Sequence, residues 1–406
     1  MTKKPLLLEE AVTRMIGAAT CGVGTEPAAL REAHGRVLAD DITATLDVPP
    51  WDNSAMDGYA IQSSDAGKVL PISQRVFAGD FPEPQIPDSC CRLFTGAPLP
   101  PGTDAVVPQE QVELLDDKHV RVPTGVKPGQ HVRRQGADVK IGDLLLPGGS
   151  RLRPADLGLL ASQGLAQLEV RRRLRVAVIS TGDELREPGM GSLELGSIYN
   201  SNSPMLCSTL EAWGCEVSLN LIVRDNLTAL REVLKEAANC SDLIIASGGA
   251  SVGEADLMRD ALSDLGQIEF WRIAIKPGKP FTFGYAENKP LIGLPGNPVS
   301  AFVTLLLVAR PFVHLLQGRS PVRPRTLMAR AGFATSRPGD RLEFLRVVLK
   351  SGSSESSPPT AHLYHDQSSG VLRSLSASDA LAEVPIGTTV GEGEWIKTLP
   401  LDGFSW

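Results

Sequence analysis

Apolar positions along the chain change their spacing four times. Residues 8–20 and 26–37 carry apolar side chains at three- and four-residue intervals, which predicts two amphipathic helices. From 47 to about 143 short β-rich runs take over: Val69-Leu70-Pro71-Ile72, Cys91-Arg92-Leu93-Phe94, Ala105-Val106-Val107 and His119-Val120-Arg121-Val122. Pro, Gly and Asp separate them, so they predict a small β-rich domain inserted into a helical or extended segment. Helical character resumes at 151–170, with Pro154 near its start and Gly164 near its end. From Leu174 the pattern alternates. Continuous apolar strands are predicted at 174–179, 215–223, 243–246, 268–275 and 291–294, and helices at 204–213, 227–238, 254–265 and 299–316. Strands that are apolar throughout and alternate with helices define a mainly parallel, three-layer α/β/α domain. After Gly318 the runs 342–349, 361–364 and 388–390 predict a C-terminal β-barrel, with a hairpin tip at 351–359. The predicted fold is a multidomain α/β protein. An extended, helical N-terminal region spans 1–50 and 143–173, the β-rich insert 51–142, the α/β/α domain 174–318 and the β-barrel 319–406.

Composition narrows the function. The 406 residues are 42% hydrophobic and 21% charged, enough apolar material for real cores. A net charge of −7 argues against sequence-independent nucleic-acid binding, which needs a basic footprint. Phosphate can still be held locally, by backbone N–H groups and a few placed lysines. Cys21, Cys90, Cys91, Cys207, Cys215 and Cys240 form no CxxC pair, which fits a reduced cytoplasmic setting without structural zinc. The first ten residues lack a long apolar run, and the apolar stretch 301–309 stops at Arg310-Pro311, short of a membrane span. The expectation is a soluble, cytoplasmic protein with no membrane and no nucleic-acid partner.

The chemistry concentrates in the loops that follow strands. Ser247-Gly248-Gly249-Ala250-Ser251-Val252-Gly253-Glu254-Ala255-Asp256 leaves a strand and enters a helix. Its glycines let a ligand approach the backbone, and the helix N-terminus suits phosphate. Asp256 is placed to ligate a metal on that phosphate, or simply to complement the helix dipole. The loop is neither a dinucleotide fingerprint nor a Walker A loop. Ser180-Thr181-Gly182-Asp183-Glu184-Leu185 ends another strand, and its acids suit a polar ring or a metal, or an ordinary solvated turn. Lys276-Pro277-Gly278-Lys279 is a compact cationic turn suited to an oxyanion. Leu294-Pro295-Gly296-Asn297-Pro298-Val299-Ser300 opens onto a helix start. His362 and His365 have no acid or cysteine at ligand spacing and read as surface residues.

Taken together, these segments resemble the molybdopterin molybdenumtransferase family, the MoeA-type bacterial proteins and the E domain of gephyrin. Asp52-Asn53-Ser54-Ala55-Met56-Asp57-Gly58-Tyr59-Ala60 is similar to the family's N-terminal signature, and Thr95-Gly96-Ala97-Pro98-Leu99-Pro100 to its β-domain signature. The resemblance covers essentially the whole chain. It implies that the α/β/α domain binds molybdopterin. It also implies a homodimer with active sites between subunits, and insertion of molybdate into adenylylated molybdopterin with release of AMP, assisted by Mg²⁺. Carried over by position, Asp57, Thr95, Asp138, Glu184, Asp225 and Asp256 are implied in activity, with Glu184, Asp225 and Asp256 as metal ligands. Substrate contacts are implied for Ser180, Thr181, Gly182, Ser247, Gly248, Gly249 and Ser251. Pro298 is implied in the same binding set, and Lys276, Lys279, Ser300, Arg346 and Ser369 are implied around molybdate. Implied partners are small-molecule substrates, a second copy of the chain, and transient contacts with the molybdopterin adenylyltransferase and molybdoenzymes.

Two alternatives have weaker support. The adenylyltransferase acting one step earlier is typically little more than the α/β domain, so the long N- and C-terminal additions argue against it. A non-catalytic, gephyrin-like scaffold would not need the acids and lysines that this chain retains.

Overall fold

The structure is a computed structural model that describes residues 5–248, 257–319, 324–352 and 357–404. The chain forms two compact units, Asp40–Pro147 with Pro154–Gln167, and Met1–Ala39 with Gly148–Arg153 and Leu168–Trp406.

The first unit is built on a six-stranded sheet in the order Ala105–Pro108, Gly58–Ile61, Cys90–Leu93, Val69–Val76, His119–Arg121, Glu113–Asp116. The predicted strands are all present. Side chains alternate across a strand, so neighbours go to opposite faces. Tyr59, Ile61, Cys90 and Val107 pack in one core cluster, and Ala60, Cys91, Leu93 and Val106 in another. This gives Cys90 and Cys91 a packing role on opposite faces, and burial pushes both thiols up to about 12, where they are inert.

The second unit centres on a six-stranded sheet whose strands are β1 (Arg175–Thr181), β2 (Glu216–Val223), β3 (Leu243–Ser247), β4 (Gly266–Arg272), β5 (Pro280–Ala286) and β6 (Lys289–Leu294). Their order is β2-β1-β3-β6-β5-β4. The first four are parallel, whereas β5 and β4 join antiparallel. Val176, Val178, Leu243 and Ile245 face a core that includes the helix Pro298–Leu316, while Ala177, Ile179, Ile244 and Ala246 face the helices Leu227–Cys240 and Leu257–Leu265. Burial on both faces explains why these strands are apolar at every position.

A second sheet closes into a five-stranded barrel of β7 (Leu327–Ala331), β8 (Leu342–Lys350), β9 (Thr360–Leu363), β10 (Ala380–Val384) and β11 (Trp395–Pro400). Its narrow interior is filled largely by small side chains, including Ala329, Ala331, Ala361, Ala380 and Ala382. Phe344, Leu381 and Leu399 belong instead to the α/β core.

Four expectations need correction. Residues 26–37 are not a helix: Thr25–Ala29 pairs as a strand with Gln167–Arg171, and a short 3₁₀ turn follows. Gly35 sits at φ +73°, which no helix continues through. Residues 151–170 hold only the helix Pro154–Ser162 before that same strand. The run 388–390 is not a strand: it follows a turn at Ile386-Gly387, where Gly387 adopts φ +72°, after Pro385 has ended β10. Finally, the apolar stretch does not stop at Arg310-Pro311: the helix expected at 299–316 is present as Pro298–Leu316 and runs through the proline, with a π-helical turn at Leu305–Ala309. The wider turn accommodates the proline, which lacks an N–H and crowds the preceding turn. At 19 residues it is long and apolar enough to cross a membrane, but it lies mostly buried in the core.

Candidate active site

Strands β1, β3 and β6 are parallel neighbours, so their carboxyl ends lie side by side. A cavity of about 860 Å³ opens at this edge, where ligands of open α/β sheets collect. From β1 it is lined by Ser180, Thr181, Gly182 and Glu184, from β3 by Ser247 and Gly248, and after β6 by Pro295, Gly296 and Asn297. Asp225 follows β2, and its N–H donates to Asp183 Oδ1 at 3.2 Å. Pro298 and Ser300 bring the start of the long helix to the cavity. Gly370 and Leu372 add a wall from the barrel. That wall is tied down where Val299 N–H donates to Ser369 O at 3.1 Å.

Nine residues predicted for the site therefore share one cavity: Ser180, Thr181, Gly182, Glu184, Asp225, Ser247, Gly248, Pro298 and Ser300. Gly249, Ser251 and Asp256 lie outside the described residues. Lys276, Lys279, Arg346 and Ser369 do not line the cavity. Lys276 pairs with Glu343 at 2.7 Å, a contact set by the register of Lys276 opposite Glu343. Lys279 has no ion-pair partner among the described residues, and the turn carrying it packs Gly278 against Thr304 of the long helix. Arg346 is 1% exposed, with Nε donating to Ser374 Oγ and Nη2 to Ser368 O, each at 3.1 Å. It braces the segment that supplies Gly370 and Leu372.

In the other unit, Asp57 Oδ1 accepts from both the N–H and the hydroxyl of Thr95, each at 2.7 Å. These two bonds, the backbone one first, hold the Asp57 carboxyl below its usual range. Asp138 is exposed, with its N–H bonded to Val48 O.

Among the cavity residues that sequence reading missed is a polar run, Tyr199, Asn200, Ser201 and Asn202, which leads into the helix Asn202–Ala212. Such a run reads as ordinary capping. Four buried atoms here have no hydrogen-bond partner among the described residues: Ser180 Oγ, Thr181 Oγ1, Asn200 Nδ2 and Asn202 Oδ1. Each orphaned group costs about 1–3 kcal/mol, so their gathering at one cavity calls for an explanation.

Partial removal from water, then repulsion by Asp183 and Glu184, raises the Asp225 pKa. A raised carboxyl pKa means that the folded chain binds the proton more tightly than the unfolded one. Ionised Asp225 therefore detracts from stability as pH rises through the ordinary carboxylate range. Asp225→Asn is expected to raise the neutral-pH melting temperature slightly, and the gain should vanish in acid. Thermal melts of both proteins across that range check this, and a lower neutral-pH melting temperature for the variant would refute it. Among the described residues no group of three His, Cys, Asp or Glu side chains could hold a metal ion.

A polar cavity at the ends of parallel strands, flanked by a helix start and glycine turns, places the chain among α/β proteins whose ligand site lies at that edge. Comparison with known proteins makes the class specific. Family models match the MoeA N-terminal region (domain I and II) at residues 6–164, a probable molybdopterin binding domain at 177–315, and the MoeA C-terminal region (domain IV) at 328–401. The molybdopterin molybdenumtransferase of Haemophilus influenzae is 43% identical over 345 residues, covering 84% of this chain and 85% of the relative. Molybdopterin molybdenumtransferase 2 of Mycobacterium tuberculosis is 37% identical over 372 residues, covering 88% and 90%. The crystal structure of the molybdopterin biosynthesis MoeA protein from Pyrococcus horikoshii OT3 superposes with a TM-score of 0.83 at 30% identity, covering 98% of this chain and all of that one. The chain belongs to the MoeA family of molybdopterin molybdenumtransferases.

Proposed function

We propose that this protein inserts molybdate into adenylylated molybdopterin, forming molybdenum cofactor and releasing AMP. The observation that carries the reading is the convergence of nine expected residues on one cavity at the carboxyl edge of the sheet. As the two dithiolene sulfurs bond to molybdenum, one molybdate oxygen leaves with the two thiol protons as water, and one water is consumed in cleaving the pyrophosphate bond, so that AMP leaves. The chain supplies position and charge rather than a nucleophile. Gly248 and the helix start at Pro298 and Ser300 are suited to the phosphate end of the ligand. Lys279, which has no ion-pair partner among the described residues, is the cation suited to the molybdate dianion, with Lys276 set back by its pairing to Glu343. Arg346 acts through the segment it braces.

Burial and the nearby Asp183 and Glu184 raise the cost of ionising Asp225, a cost that a divalent cation would offset. Glu184 and Asp225 would hold Mg²⁺ together with Asp256, and the ion would offset charge on the pyrophosphate oxygens. The protein is further proposed to be a cytoplasmic homodimer with active sites between subunits. From the Asp40–Pro147 unit, Asp57, Thr95 and Asp138 are the proposed contributors to activity. Transient contacts with the adenylyltransferase and with molybdoenzymes complete the proposal.

The test supplies adenylylated molybdopterin, Mg²⁺ and molybdate to the purified protein and follows AMP together with the metal-bound cofactor. The expected result is stoichiometric appearance of both. Binding of substrate without AMP release rejects the transferase reading.

A further inference from the structure

Two asparagines at the start of the helix Asn202–Ala212 have their amide orientations fixed by backbone groups. Asn202 Nδ2 donates to the Gly296 carbonyl and to Ser247 Oγ, each at 2.7 Å. A carbonyl only accepts, so the nitrogen must face it, and Oδ1 is left as an acceptor without a partner among the described residues. Asn200 is fixed in the opposite sense. Its Oδ1 accepts from Ser203 N–H at 3.2 Å, which leaves Nδ2 as a donor without a partner. Both residues line the cavity, at 2% and 8% exposure for Asn200 and Asn202. Ser180 Oγ and Thr181 Oγ1, on the same cavity, are also unpartnered.

We propose that Asn200 and Asn202 are specificity-determining residues that read the edge of a heteroaromatic ring carrying an N–H beside an acceptor. The ring N–H donates to Asn202 Oδ1 and the ring acceptor takes Asn200 Nδ2, with the Ser180 and Thr181 hydroxyls completing the set. This rests on the cavity being the substrate site. One freely rotating amide suits either polarity, but two amides locked by backbone groups accept only one. A ring of reversed polarity leaves buried groups unpaired, which is how a site rejects a close analogue. The pterin of molybdopterin carries such an edge, its 4-oxo group beside N3–H. So does adenine, with N1 beside the 6-amino group.

The test uses Asn200→Asp and Ser180→Ala. The first keeps the oxygen that bonds Ser203 and exchanges only the unpartnered donor for an acceptor. The second removes a hydroxyl that bonds nothing among the described residues. Calorimetric titration with molybdopterin and with AMP, separately, is compared with wild type alongside melting temperatures. Asn200→Asp is expected to weaken one ligand by at least about tenfold. Ser180→Ala is expected to weaken the same ligand while its melting temperature stays level or rises. Loss confined to molybdopterin assigns the edge to the pterin, and loss confined to AMP assigns it to adenine. If wild type turns over and both variants bind both ligands as wild type does, the inference is overturned while the transferase reading stands. If wild type itself binds neither ligand, both fall.

Discussion

Replacing Gly248 by alanine is expected to slow AMP release by about 100-fold or more, the usual consequence of displacing a reacting group by an ångström. Gly248 follows β3 at φ +95°, a conformation that side-chain-bearing residues rarely adopt. A Cβ there would collide with the Thr181 carbonyl oxygen and lie 2.8 Å from Thr181 Oγ1. The carbonyl does not yield easily, because the Thr181 backbone is held by its pairing with Val223 of β2. The loop must therefore shift, and it is the loop that continues toward Asp256. Backbone strain alone costs about 1–3 kcal/mol. Gly296→Ala is the control. Its Cβ would meet only Gly248 Cα, at an ordinary 3.6 Å, and its φ is not positive. Stopped-flow AMP release and urea unfolding of both variants decide the matter. Near-wild-type turnover by Gly248→Ala would remove this loop from the site.

How far the sequence revealed the fold depends on what each residue has to satisfy. Strands β1 and β3 were legible because both faces are buried, so every position from Val176 to Ile179 had to be apolar. Strand β5 was not, although Phe281 and Phe283 are buried in it. Pro277-Gly278-Lys279-Pro280 marks a turn, and the following Phe-Thr-Phe-Gly-Tyr is short enough to read as its continuation. Residues 26–37 misled in the opposite direction. Ala33 and Val37 are buried four residues apart, as on one helix face, but Pro27 and Gly35 belong to a strand and a turn. Local spacing cannot show that the strand's partner lies at Gln167–Arg171.

The site was legible where backbone geometry is written into residue type. Gly248 and Pro298 announce themselves, since only a few residues tolerate a positive φ or open a helix without an N–H. The asparagines do not. Asn200 and Asn202 carry the residue types of a capped turn, and only the positions of Ser203 N–H and Gly296 O show which amide atoms remain unpartnered. Lys276 shows the same limit for charge. Its sequence context promised a free cation, but the parallel pairing of Ile275 with Leu342 sets it opposite Glu343, more than sixty residues away in the chain.

Trp213→Ala is expected to lower the unfolding free energy of its unit by about 3–5 kcal/mol, the range for truncating a buried tryptophan. Trp213 is 2% exposed and sits at the end of the helix Asn202–Ala212. Its Nε1–H donates to Phe404 O at 2.7 Å, and its own carbonyl accepts from Gln317 Nε2 at 3.0 Å. Its ring meets His314 edge-on, with centroids 6.0 Å apart. One side chain thus joins the helix that begins at Asn202, the end of the long helix, and the turn Asp402–Phe404 that follows β11. Burial pushes His314 down to about 2, so it stays neutral and the contact is not undone by mild acid. Removing the ring opens a cavity in the main core and leaves the Phe404 carbonyl unpaired, and both effects act in the same direction. Trp213→Phe keeps most of the volume and loses only the N–H, so about 1–2 kcal/mol is expected from it. Urea unfolding of the two variants, with hydrogen exchange across residues 399–404, separates the terms. A loss under 1 kcal/mol for the alanine variant would show that the turn at Phe404 is held by other contacts. Because the helix carrying Trp213 begins at the cavity asparagines, its loosening should also weaken ligand binding more than Trp213→Phe does.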